Sequence, residues 1–218
     1  SAIEQSISLK GQSADFNGSY KLGKGLGKMK GDIAWLPILK GHLQISGEAL
    51  EFDYQSMFKA KVSPNINLVF EPDNLEINGE VTIPYARVKV RELPKGSISP
   101  SRDVILVEKQ AELNASQQRL SLNVLLKVEP LLSNEVKLDA FGLTTDLQGE
   151  LRLQNNKSEI FGSGEVQLVN GRYRAYGQNL IIREGDILFT SALDRPFLNI
   201  EAIRDPDLTS NSVIADSE

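Results

Sequence analysis

What most constrains this chain is a two-residue alternation of apolar and polar side chains that recurs from end to end. It is cleanest at Leu120, Leu122, Val124, Leu126 and Val128, and returns at Val136, Leu138 and Ala140, then at Leu147, Leu151 and Leu153. Further upstream it runs through Leu43 and Ile45, then Leu50, Phe52 and Tyr54, then Ile66, Leu68 and Phe70, then Leu75 and Ile77. Successive side chains of a strand point to opposite faces, so a period of two makes a strand with one apolar face. The chain therefore reads as all-β, built from short strands joined by turns.

The stretch Gly162 to Arg204 shows the pattern most densely, with Val166 and Leu168, Leu180 and Ile182, Ile187 and Phe189, and Leu198, Ile200 and Ala202. Its separators are Asn170-Gly171, Gly177-Gln178-Asn179, Glu184-Gly185-Asp186 and Asp194-Arg195-Pro196, which read as turns because Gly and Asn tolerate positive φ. Gly41, Gly47, Gly79, Pro64 and Pro72-Asp73-Asn74 read as corners upstream. Parity slips at Pro84-Tyr85: Val81 and Ile83 share one parity, Ala86, Val88 and Val90 the other, so a β-bulge belongs there. Arg87, Lys89 and Arg91 then fall on a solvated face. Glu92 to Asp103 is a long polar connection, followed by a short strand at Val104–Val107. Ala111 to Arg119 fits a helical turn or a hairpin loop equally well.

The apolar side of every strand has to be covered. A second sheet would do it, giving a sandwich with a closed core. Alternatively, about sixteen strands at roughly 4.8 Å spacing make a sheet about 75 Å wide, which curls around its own apolar face and leaves a groove. Leu, Ile and Val dominate the inward positions and aromatics total 6%. Such an aliphatic lining suits acyl chains, which need dispersion contact and exclusion of water.

Composition excludes several functions. With no cysteine among 218 residues there is no disulfide, thiol nucleophile or cysteine metal site. A net charge of −5 argues against nucleic acid as a partner. No apolar run is long enough to span a bilayer as a helix. The run Lys21-Leu22-Gly23-Lys24-Gly25-Leu26-Gly27-Lys28-Met29-Lys30 fails the phosphate-loop spacing, since Leu22 and Met29 stand where Gly and Ser or Thr are required, and reads as a mobile lysine-rich turn region. The single histidine, His42, has no second histidine or cysteine to work with and reads as a surface or turn residue. Asp205-Pro206-Asp207 gathers too few oxygens for a hard cation. A hydrolase would have to draw on turn carboxylates such as Asp103, Glu184, Asp186 and Asp194, and nothing favours one. No enzyme activity, cofactor or metal is expected.

The ordered set Asn170-Gly171-Arg172-Tyr173, Tyr176-Gly177-Gln178, Leu180-Ile181-Ile182, Gly185, Phe189 and Arg195-Pro196-Phe197-Leu198 resembles the C-terminal domain of the TamB family, the translocation and assembly module subunits of Gram-negative bacteria. Ile83-Pro84-Tyr85-Ala86-Arg87, Glu92-Leu93-Pro94 and Ser101-Arg102-Asp103-Val104 also resemble it. The resemblance implies a single long antiparallel sheet, curled into a taco-like groove with a hydrophobic interior. It implies a place in the periplasm, within a full-length protein anchored in the inner membrane. The chain then reads as one elongated β domain over residues 1–218, excised from a larger protein, since the family is expected to continue for several more strands past Asp205-Pro206 and this sequence ends at Glu218, with a subdivision at the 92–103 loop left open.

The implied function is to bind lipid acyl chains and to support phospholipid transport, assembly of outer-membrane proteins such as autotransporters, or both. The implied partner is TamA, an outer-membrane barrel. The alternative is a strand-pairing module that docks the periplasmic domains of TamA or nascent outer-membrane proteins without carrying lipid. The expected lining of the groove is Trp35, Leu43, Ile45, Phe52, Leu68, Phe70, Ile77, Leu122, Val124, Leu126, Leu138, Leu151, Leu168, Ile182, Phe189 and Ile200.

Overall fold

A computed structural model describes residues 3–54, 57–90, 119–130, 135–156, 159–175 and 177–204. Their strands are β1 (Ile3–Lys10), β2 (Ser13–Leu22), β3 (Gly25–Ala34), β4 (Lys40–Glu48), β5 (Leu50–Tyr54), β6 (Phe58–Glu71), β7 (Asn74–Val90), β8 (Arg119–Val128), β9 (Val136–Ala140), β10 (Leu143–Asn156), β11 (Glu159–Ala175), β12 (Gln178–Phe189) and β13 (Phe197–Arg204). All belong to one 13-stranded sheet, and spatial order follows chain order from β1 to β13. There is no second layer and no helix among the described residues. The closed sandwich is thereby replaced by a single sheet, as the resemblance implied.

Two lanes of the sheet are shared. β4 and β5 both pair with β6, and are one strand interrupted at Ala49, whose φ is 47°. The Ala49 amide, turned out of the ladder, donates to the Ser63 hydroxyl at 3.0 Å. β8 and β9 likewise lie end to end between β7 and β10. The cluster of Ala60, Ala86 and Val136, packed by Val62, Ile83, Val128 and Leu147, closes the sheet at this second interruption.

The expectation of an antiparallel sheet needs one correction. β7 pairs in parallel with β8 and with β9, whereas the other pairings are antiparallel. Alternation is identical in both kinds of ladder and cannot tell them apart. A parallel neighbour requires a crossover connection of a dozen residues or more, and residues 91–118 supply that length.

Other expectations shift in register. The slip assigned to Pro84-Tyr85 is a bulge at Ile83 and Pro84, which together oppose Val62: Ser63 pairs with Thr82 and Lys61 with Tyr85. Two separators read as turns lie inside strands. Asn170, with φ 54°, forms a bulge with Gly171 within β11, and Glu184-Gly185 adjoins a bulge within β12. An αL residue serves a bulge as well as a turn. The described residues hold thirteen strands. Gly41, Gly47, Pro64 and Gly79 are likewise inside strands, while Pro72-Asp73 is a true turn between β6 and β7. The lysine-rich run forms the regular β2–β3 hairpin, with Leu22 paired to Gly25 across Gly23-Lys24. Arg91, the whole 92–103 loop with Asp103, the short strand expected at Val104–Val107, the Ala111 to Arg119 segment up to residue 118, and Asp205-Pro206-Asp207 lie outside the described residues.

Candidate functional site

Paired residues share a face, so the register carries one face across the whole sheet. Ile7, Phe16, Gly31, Leu43, Leu68, Ile77 and Leu122 lie side by side in one row. The next row runs Met29, Ile45, Ile66, Gly79, Val124, Leu153 and Gly162. Beyond it come Pro64, Val81, Leu126, Leu151, Gly164 and Phe189. Ile83, Val128, Gly149, Val166, Ile187 and Leu198 follow. Leu168 sits beside Leu147 and against Gly185, which pairs with Ile200. Ile182 lies over Gly171, Leu138 is paired with Val88 and Thr145, and Phe52 with Ala60. Every expected lining residue except Trp35 is therefore on one face.

From β2 to β12 this face carries no Lys, Arg, Asp or Glu among the described residues. Its polar groups are few, and two of them lie within reach of backbone carbonyls. Thr145 is buried, and its hydroxyl lies 3.1 Å from the Val169 carbonyl. The Tyr20 hydroxyl is 3.4 Å from the Ser46 carbonyl, and burial raises its pKa above the usual phenol value. The opposite face holds the charges. Lys59 meets Asp53 at 2.9 Å, Lys127 meets Glu80 at 3.1 Å and Arg183 meets Glu201 at 3.4 Å. The hydrogen bonds from Lys59 to Asp53 and from Lys127 to Glu80 hold both ammonium groups above the ordinary lysine range. Such exposed pairs contribute little to stability, but they fix this face as the wet one.

The strand glycines explain how the sheet accommodates its width. At ~4.8 Å per lane it spans roughly 50 Å, and a sheet of this size coils rather than staying flat. The strand glycines Gly27, Gly31, Gly41, Gly47, Gly79, Gly149, Gly162, Gly164, Gly171 and Gly185 all lie on the apolar face. Phe16 lies over Gly31, Phe70 over Gly41 and Tyr20 over Gly27. At Gly149 and Gly164, with φ 135° and 143°, a Cβ would stand 2.2 Å from the carbonyl oxygens of Glu165 and Glu150. Backbone crowding on one side of a sheet, together with bulges, is what curvature toward that side requires. The sheet is a trough whose apolar face is its inside.

Among the described residues the trough is lined but not filled: of its apolar side chains only Ala14, Leu50, Ala60, Ala86, Val124, Val136 and Leu168 are buried. Leu43, Ile45, Leu68, Phe70, Ile77, Leu122, Leu126, Leu138, Leu151, Ile182 and Phe189 are half-buried, and Phe52 and Ile200 are exposed. A cavity of about 340 Å³ opens among Ile7, Ala14, Phe16, Met29 and Ile33. Trp35 is elsewhere, in the connection after β3, its amide donating to the Gln12 carbonyl at 3.1 Å. The expected lining omitted Phe16, Met29, Ile66, Leu75, Val81 and Leu153. Their parity in the alternation would have found them.

Among the described residues the candidate catalytic side chains do not come together. His42 is exposed on the outer face, 3.9 Å from Asp32. Glu184 and Asp186 are also on that face, Asp186 accepting from Asn199 at 3.4 Å, while Asp194 lies in the β12–β13 loop beside Arg195. No group of three His, Cys, Asp or Glu side chains is placed to hold a metal among the described residues. No helix there is long and apolar enough to cross a membrane.

Among the described residues, a one-layer β-trough with an uncharged lining from β2 to β12 defines the class: a groove-forming β protein. The sequence profile of the TamB C-terminal domain matches residues 15–216, and the chain belongs to that family. Among curated proteins it is similar to the translocation and assembly module subunit TamB of Haemophilus influenzae, with 33% identity over 196 residues. The alignment covers 85% of this chain and 15% of that protein, so the chain spans a small part of its relative's length.

Proposed function

We propose that the trough binds lipid acyl chains, and that the chain works in the periplasm as part of a bridge between inner and outer membranes. In that role it supports phospholipid transport, assembly of outer-membrane proteins, or both, together with TamA. The observation carrying this reading is the wide apolar face that, among the described residues, carries no formal charge from β2 to β12 and has no second layer over it. Monomeric proteins rarely leave more than a few hundred Å² of contiguous apolar surface uncovered. Hydrocarbon satisfies such a face without directed polar groups. The bulges and glycines keep it concave. The test is native mass spectrometry of gently purified protein, with photo-crosslinking from Leu43, Leu126, Leu151 and Phe189. Co-purified phospholipid crosslinked from these positions is expected. Persistent absence of lipid and of crosslinks would remove this function.

A second reading rests on β13. Among the described residues it pairs with β12 alone, all its residues are exposed, and apolar side chains stand on both of its sides, with Asn199 and Glu201 between Phe197 and Ile203 on the outer one. Leu198 and Ile200 continue the trough, while Phe197 pairs with Leu188 and Ile203 with Ile181 on the outer side. An unpaired strand edge is a template for another strand. We propose that TamA or a nascent outer-membrane strand adds here. Replacing Asn199 or Glu201 with proline, which deletes one ladder donor, is expected to weaken binding to the periplasmic domains of TamA. Unchanged binding by both variants would place docking elsewhere.

A further inference from the structure

The five residues joining β3 to β4 break the alternation that governs the rest of the chain. They read Trp35-Leu36-Pro37-Ile38-Leu39 and carry no charge or hydrogen-bonding side chain other than the indole. Ala34 and Lys40 are paired, so all five lie beyond the strand ends. Trp35 is 40% exposed, Leu36 53%, Ile38 56% and Leu39 50%. Nearby turns at the same end of the trough, Gly11-Gln12 and Pro72-Asp73, are polar.

We propose that this loop is a membrane-docking tip, which sinks into the headgroup–acyl boundary of a phospholipid bilayer and holds one end of the trough at the membrane surface. Three observations favour a bilayer over a protein partner. The exposed apolar area is on the order of 400 Å², about half the ~800 Å² that each side of a stable protein interface buries. A fluid interface needs no matching surface and takes a small tip. The residue types fit that boundary: an indole with one polar N–H at the rim, three branched aliphatics beyond it, and Lys40 following at headgroup level. The backbone is partly prepared, since Pro37 brings no N–H and the Trp35 N–H is already satisfied by Gln12. The loop lies beside the Ile33 end of the apolar cavity, so a docked tip brings the trough's lining next to lipid. The proposal stands whether or not the trough itself carries lipid.

Trp35 is the only tryptophan in the chain and reports on its own tip. Adding vesicles of phosphatidylethanolamine and phosphatidylglycerol is expected to blue-shift its emission and to reduce acrylamide quenching several-fold. Lipids brominated high on the acyl chain are expected to quench it more strongly than lipids brominated near the terminus. Leu36→Glu with Ile38→Glu should lower vesicle binding tenfold or more, while circular dichroism and lipid co-purification stay as in the parent protein. Leu126→Arg, a change in the trough, should leave vesicle binding intact, which separates the failure of one proposal from the failure of the other. Unchanged emission with excess vesicles, undiminished vesicle binding by the double variant, or a blue shift that follows protein concentration without vesicles would each overturn the tip.

Discussion

Placing a charge at Leu126 distinguishes an open trough from a filled core. Leu126 is on the apolar face, paired with Val81 on one side and Leu151 on the other, and is half-buried. If the face is an open trough, an arginine there keeps its stem on the lining and carries its guanidinium out to water. The cost is then the lost leucine contact, on the order of 1–2 kcal/mol at about 25 cal/mol per Å². If the face were covered, the guanidinium would be buried without a partner, at about 3–5 kcal/mol, a large part of a total stability of about 5–15 kcal/mol. Leu125→Arg is the internal control. It is the next residue on β8, faces outward, and stands between Glu80 and Arg152. Urea unfolding followed by circular dichroism, with native mass spectrometry on the same samples, reads both quantities. The expected result is that Leu126→Arg loses no more than about 2 kcal/mol and most of its bound lipid, while Leu125→Arg stays within about 1 kcal/mol of the parent and keeps its lipid. A loss above about 3 kcal/mol by Leu126→Arg, or full lipid occupancy in that variant, would refute the open trough.

Gly149→Ala and Gly164→Ala should each destabilise by about 2 kcal/mol or more, because a strained positive φ coincides with backbone crowding at 2.2 Å. Gly11→Ala, also at positive φ but facing open space, should cost only about 1 kcal/mol, and equal losses in urea unfolding would sink the curvature argument. Phe141 occupies the first position of the two-residue β9–β10 turn at φ 52° and is exposed, so Phe141→Asn should raise stability by about 0.5–1 kcal/mol. A fall in the urea midpoint would contradict that. The hydrogen bond from Lys137 holds Glu135 below the ordinary carboxylate range, so its contribution is present above the unfolded pKa and is lost as pH falls through the lower folded value. Because the pair is exposed, Glu135→Gln should change the acid limb of the stability profile only slightly, and a large change would show a coupling beyond Lys137.

What the alternation determined by itself is the strand content and the sorting of faces. Leu43, Ile45, Leu68, Phe70, Leu122, Val124 and Leu126 could be assigned to one face without coordinates, because parity is a local property of an extended backbone. The bulge near Pro84 was legible for the same reason, as a change of parity. The absence of cysteine and of a second histidine limited the chemistry in the same direct way. Tertiary structure decided what parity cannot carry. Whether β7 meets β8 in parallel depends on where a crossover returns the chain, and both ladders read alike along a strand. Whether Asn170-Gly171 turns the chain or only bulges it depends on the partner strand, since the same αL backbone serves both. Trp35 shares the parity of Ile33, yet the strand ends at Ala34, and only the pairing of Ala34 with Lys40 shows the ring to be beyond the trough. The glycines of the apolar face looked like punctuation along the chain. Their effect comes from neighbouring strands pressing against the missing Cβ atoms, a contact between segments far apart in sequence, and so it was visible only once the sheet was assembled.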